Sequence, residues 1–238
     1  MKLDILAFAA HPDDVEISAA GTLLKYLAEG KSVGIVDLTE GELGTRGNVQ
    51  TRYEESEKAG NIMGISVRDN LRMKDGFFDD SEDNKRSIIQ QIRNYQPEIV
   101  LCNSILDRHP NHGKAAKLVE EACFLSGLRK IETDFDGKIQ KEFRPRLVLH
   151  YIQDYHIEPD FVIDVTQFAD KKIEVVKAYT SQFFNPNSNE PETPISGEDF
   201  FDFLKARMMT MGRPAGFKYA EGFTVSRIFG VNDIFNLL

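Results

Sequence analysis

The chain of 238 residues has little cysteine, no surplus of positive charge and no long apolar run, and each shortage closes off a class of function. Two cysteines are too few for a disulfide framework or a structural zinc cage. Cys102 stands in an apolar strand-like run and Cys123 in a helix-like run, and both read as small buried residues. Against 38 acidic side chains there are 29 basic ones, a net charge of −9, so the field that draws proteins to nucleic acid or anionic membranes is missing. The apolar opening MKLDILAFAA is too short to span a bilayer and has no signal-peptide cleavage pattern, which predicts a cytoplasmic protein. No repeat and no linker interrupts the chain, and its length suits one domain over residues 1–238.

What is present is an alternation of short β-rich runs and longer helical patterns. Strands are predicted over residues 3–10, 32–38, 65–71 and 97–103. Helices follow them through Ile17 to Leu27 and over residues 51–63, 84–95 and 112–125. The second half is less regular, with strands over 146–152, 161–165 and 223–228 and helices over 173–179 and 198–211. Apolar strands in β-α repetition predict an α/β fold of three layers, α/β/α, with a Rossmann-like, mostly parallel sheet. Right-handed crossovers then gather the C-terminal strand ends on one edge, where open α/β sheets bind their ligands.

Three of the five histidines fall at that edge. His11 follows the first strand, in AAHPDDVEI, and His109 and His112 follow the strand PEIVLCN, in LDRHPNHGKA. His11 and one carboxylate from the first loop, with His112 from the second, make a three-ligand set for a divalent ion and leave a position open for water. Neighbouring side chains diverge, so Asp13 and Asp14 take different roles: Asp14 as ligand, Asp13 as base for the attacking water. His109 is then free to act as acid or to stabilise an oxyanion. Taken alone, His-Pro-Asp-Asp is also a plausible turn and helix cap; the second histidine loop at the same edge argues for chemistry.

HPDDVEI and RHPNH, with DLTEGELGTRGN, TRYEE and YAEGF, resemble the LmbE-like (PIG-L) family of zinc deacetylases over nearly the whole chain. Within it the chain is most similar to the bacillithiol-biosynthesis deacetylases, which hydrolyse the acetamide of N-acetylglucosaminyl-malate. The resemblance implies zinc at His11, Asp14 and His112, with ferrous iron or cobalt acceptable to the same donors. It implies Asp13 as general base, His109 as acid or oxyanion stabiliser, and Arg52 on the sugar hydroxyls. It also implies a small amino-sugar substrate and a homo-oligomer, a homohexamer in that subgroup. Arg108 is the candidate for the malate carboxylates, which a guanidinium reads bidentately. For either arginine the competing reading is a solvated surface charge.

Two departures stand out. Val15 precedes Glu16 where the broad family reads HPDDE, as in the bacillithiol subgroup, and Asn111 replaces the aspartate of the usual HPDH. An uncharged Asn111 should favour the imidazolium at position 109 less. His150, in LVLHYI, reads as a core or rim histidine, and His156 as either substrate rim or plain surface. The aromatics Phe200, Phe201 and Phe203 with Leu204 read as a helix packing face, in the core or at a subunit contact. Two other functions compete: deacetylation of a different small N-acetylglucosaminide, and nucleotide binding on the Rossmann-like sheet. The second is disfavoured because HPDD puts two carboxylates where a phosphate would sit, and GELGTRGN lacks both GxGxxG spacing and a Walker lysine.

Overall fold

The computed structural model describes residues 1–237. Strand β1 (Ile5–Ala9) is buried along its whole length, and its side chains alternate between two separate cores. Ile5, Ala7 and Ala9 face one core, while Leu6, Phe8 and Ala10 face the other. Strand β2 (Val33–Thr39) divides in the same way, Val33 and Ile35 to the first and Val36 and Leu38 to the second. A strand that is apolar on both faces can only lie between two helical layers.

Helices α1 (Asp14–Ala28) and α2 (Val49–Met63) contribute to the first core, and α3 (Glu82–Tyr95) and α4 (Pro110–Leu125) to the second. Helices α5 (Ala169–Val176) and α6 (Phe200–Gly212) lie on the first face, where Phe200 and Leu204 are core residues. The other strands are β3 (Val67–Met73), β4 (Ile99–Cys102), β7 (Leu147–Tyr151), β8 (Phe161–Asp164) and β9 (Ala220–Thr224). The sheet order is β3-β2-β1-β4-β7-β9-β8, parallel from β3 to β7. β9 runs antiparallel to both its neighbours. This is the expected three-layer α/β/α fold, and the first five strands send their C-terminal ends to one edge. Among the described residues no helix is long and apolar enough to cross a membrane.

Three elements differ from the sequence reading. The last strand is Ala220–Thr224 rather than 223–228, because its register on β8 pairs Phe161 with Phe223 and Asp164 with Ala220. Beyond Thr224 the chain leaves the sheet, and Ile228 is 96% exposed. Helix α5 begins at Ala169, earlier than the apolar period suggested. Past it, Ala178 and Tyr179 make tighter bonds to Val175 and Val176, so the periodic positions continue where the α-helix has stopped. A small hairpin of β5 (Asp134–Phe135) and β6 (Lys138–Ile139) was missed. Its Asp136-Gly137 turn, with both residues at positive φ, is the signal that marks it.

Candidate metal centre and active site

The loop after β1 and the loop after β4 meet above the C-terminal edge of the sheet. Ligand nitrogens of His11, His109 and His112 lie within 4.8 Å of one another. Asp14 lies against two of these rings: its Oδ1 is 3.1 Å from His112 Nε2 and its Oδ2 is 3.6 Å from His11 Nδ1. Donors about 2 Å from one tetrahedral ion are separated by roughly 3.3 Å, so these spacings fit a shared cation.

Each of the two outer imidazoles is gripped from behind by a carboxylate. Asp75 Oδ1 is 3.0 Å from His11 Nε2, and Asp107 Oδ2 makes a short bond with His112 Nδ1. One nitrogen of each ring is thereby fixed, and the other turns toward Asp14. Such carboxylate–histidine pairs are the usual backing of a metal ligand. Burial opposes charge on both rings, but the surrounding carboxylates prevail and raise His11 to about 9 and His112 to about 10. Burial likewise opposes ionisation of Asp75, yet its bond with His11 and the backbone N–H groups of Leu43 and Gly76 hold it down to about 2. The site attracts positive charge, as a cation centre must.

His109 is built differently. It caps helix α4, with its Nδ1 accepting the backbone N–H of Asn111 at 3.3 Å. In the neutral ring that bond leaves the proton on Nε2, making His109 a donor rather than a ligand. Burial, together with the positive His11 and His112, pushes its pKa down to about 4. Asn111 does not hold this ring by its side chain; Nδ2 donates instead to Asp75 Oδ1, 2.8 Å away, and reaches His11.

Asp13 is buried at the start of α1 with φ 128°, a strained conformation for a residue with a side chain, and makes no capping bond. Burial raises its carboxyl to about 6, while Arg52 pulls the other way. Arg52 Nη1 donates to Asp13 Oδ2 at 3.1 Å. The buried guanidinium presses so close to Gly41 that a Cβ there would meet Nη2 at 3.0 Å. Arg108 is part-exposed, and its Nε donates to Asp154 Oδ2 at 2.7 Å.

All seven candidate residues line one cavity of about 440 Å³, walled also by Leu43, Glu192 and Phe200. A slightly larger groove, about 500 Å³, lies against α2 and β3 but contains no histidine. His150 is a core residue bonded to Asn103 O, and His156 is exposed and outside the cavity lining. The sequence reading overlooked Asp75, Asp107, Asn103 and Gln153. The first follows β3, Asp107 and Asn103 follow β4, and Gln153 follows β7, so the same strand-end rule that singled out His11 applies to them.

The family described as PIG-L, GlcNAc-PI de-N-acetylase, matches residues 6–123. The diacetylchitobiose deacetylase of Thermococcus kodakarensis is 27% identical over 92% of this chain and 81% of its own length. A Bacillus anthracis protein named "Probable N-acetyl-alpha-D-glucosaminyl L-malate deacetylase 2" is 27% identical over 75% of this chain and 81% of its own. The crystal structure of the conserved protein TT1542 from Thermus thermophilus superposes with a TM-score of 0.85 at 33% identity, covering 97% of this chain and 98% of that one. With the family match spanning both the HPDD and the HPNH loops, the chain belongs to the PIG-L (LmbE-like) family of metal-dependent N-deacetylases.

Proposed function

We propose that this chain hydrolyses the acetamide of a small N-acetylglucosaminide, with N-acetylglucosaminyl-malate as its substrate, releasing acetate and the free amino-sugar. The observation that carries this reading is that Asp14 lies 3.6 Å from a nitrogen of His11 and 3.1 Å from one of His112, beside the buried carboxyl of Asp13. These three residues would hold zinc, with ferrous iron or cobalt acceptable to the same donors. A divalent ion there would supply Lewis acidity, polarising the amide carbonyl and lowering the pKa of a water to about 7.

Asp13 takes the proton of the attacking water, and Arg52 orients that carboxylate from behind. Arg52 also lines the cavity and is the residue assigned to the sugar hydroxyls. His109 donates its Nε2–H as a hydrogen bond to the oxyanion, and Asp13 passes the water's proton on to the departing amine as acetate is released. Arg108, part-exposed on the cavity wall, binds the malate carboxylates by exchanging its bond with Asp154. The reading extends to one domain over residues 1–238 working in the cytoplasm as a homo-oligomer, a homohexamer by family resemblance.

A second reading within the same chemistry takes a chitobiose-like substrate, and the broader coverage of the Thermococcus relative favours it. Acetate release should be measured for metal-loaded protein given N-acetylglucosaminyl-malate, N,N'-diacetylchitobiose and N-acetylglucosamine in parallel. The malate conjugate should lead in kcat/KM by about tenfold, the worth of one charged hydrogen bond of about 1.5 kcal/mol, and Arg108→Ala should erase that lead. Equal turnover of all three substrates removes malate recognition. No acetate from any of them removes the deacetylase reading.

A further inference from the structure

Asp14 is surrounded by more donors than a metal ligand needs, and their arrangement distinguishes its two oxygens. Oδ2 accepts the backbone N–H of His11 at 2.9 Å and Asn103 Nδ2 at 3.0 Å. Oδ1 accepts Gln153 Nε2 at 3.0 Å and faces His112 Nε2 at 3.1 Å. A carboxylate has about four acceptor positions, two on each oxygen. Three are therefore filled by N–H groups, and the fourth, on Oδ1, faces His112 Nε2.

Both carboxamides are locked in this orientation by the backbone. Asn103 Oδ1 accepts the N–H of Ala10 at 2.9 Å, and Gln153 Oε1 accepts the N–H of Ser104 at 3.2 Å. With the oxygens so occupied, neither amide can flip without setting a carbonyl against the Asp14 carboxylate. The two amides also bond each other, Asn103 Nδ2 to Gln153 Oε1 at 2.9 Å. Arg207, half-buried, donates to the backbone carbonyls of Gln153 and of Ile17 and so anchors the segment to α1. Asn103 and Gln153 are both buried, and Gln153 alone of the pair lines the cavity.

We propose that Asn103 and Gln153 are positioning residues that restrict Asp14 to one-oxygen ligation through Oδ1, keeping a coordination position free for water and the substrate carbonyl. A two-oxygen grip would fill that position and would require the Asn103 and His11 donors to leave Oδ2. This inference rests on the metal-centre reading above and adds to it the denticity of one ligand.

The probe is cobalt(II), whose visible absorption is intense in four- or five-coordinate sites and weak in six-coordinate ones. Cobalt-loaded wild-type protein should show the intense bands. Asn103→Leu, which keeps the shape of the side chain but removes the donor on Oδ2, should weaken those bands and lower cobalt affinity by about 10- to 100-fold in chelator competition. A merely structural role for Asn103 would lower the thermal unfolding midpoint of the metal-free variant without changing the cobalt bands. A weak, six-coordinate spectrum in the wild type overturns the proposal without any variant, which covers the case in which Asn103→Leu does not fold. An unchanged spectrum and affinity in folded Asn103→Leu also overturn it. Failure of the wild type to bind cobalt overturns the metal centre itself, a distinguishable outcome.

Discussion

The loops after β1 and β4 do the same topological job, carrying the chain from a parallel strand into a helix, yet they treat the helix end in opposite ways. At α4 the first residue outside the helix, His109, uses its side chain as a cap and Pro110 starts the first turn. At α1 the corresponding residue is Asp13, a residue type that caps helices well, and it caps nothing. Its backbone is strained and its carboxyl turns to Arg52. A helix start that forgoes its cap and accepts strain is best explained by a demand on the side chain from elsewhere. The contrast teaches that, at equivalent positions in a fold, one side chain can serve scaffold and chemistry together while the other is given to the chemistry alone.

The largest effect expected from this contrast is at Asp13. Asp13→Asn should lower kcat by about 10²- to 10⁴-fold, the range for a lost general base, while the protein binds its metal stoichiometrically. Acetate release and metal content measured on one preparation check both halves, and full activity would remove Asp13 from the mechanism. His109→Ala comes next. Loss of the Nε2 donor should reduce kcat by about 10²- to 10³-fold. Loss of the cap should also cost about 1 kcal/mol in denaturant unfolding. Should the variant lose its metal instead, the three-imidazole cluster would be the ligand set and Asp14 would not. The smallest effect is expected from Asp107→Asn, which touches no substrate. Metal affinity should fall about 10- to 100-fold, while kcat of the fully loaded enzyme stays near wild type.

His11, His109 and His112 illustrate how far the site could be foreseen. Their placement at one sheet edge follows from strand-helix alternation and from the direction of parallel strands, both visible as apolar periodicity. The low pKa of His109 agrees in direction with an uncharged Asn111, but the cause lies in burial and two neighbouring rings. The partners Asp75 and Asp107 stand at strand ends like His11 and were open to the same rule, but which ring each one backs is decided only when the loops pack. Arg52 was expected on the sugar, and its bond to Asp13 depends on how closely α2 passes the loop after β1.

The amino-acid order alone determined the three-layer fold and the residues able to bind a cation, since periodicity and residue type are local properties of the chain. Only the tertiary structure decided which nitrogen of each ring faces Asp14, which oxygen of Asp14 remains open, and why Asp13 is raised to about 6. Those outcomes depend on hydrogen bonds between β1, β4 and β7 loops as many as 139 positions apart, and on the exclusion of water that their meeting brings about.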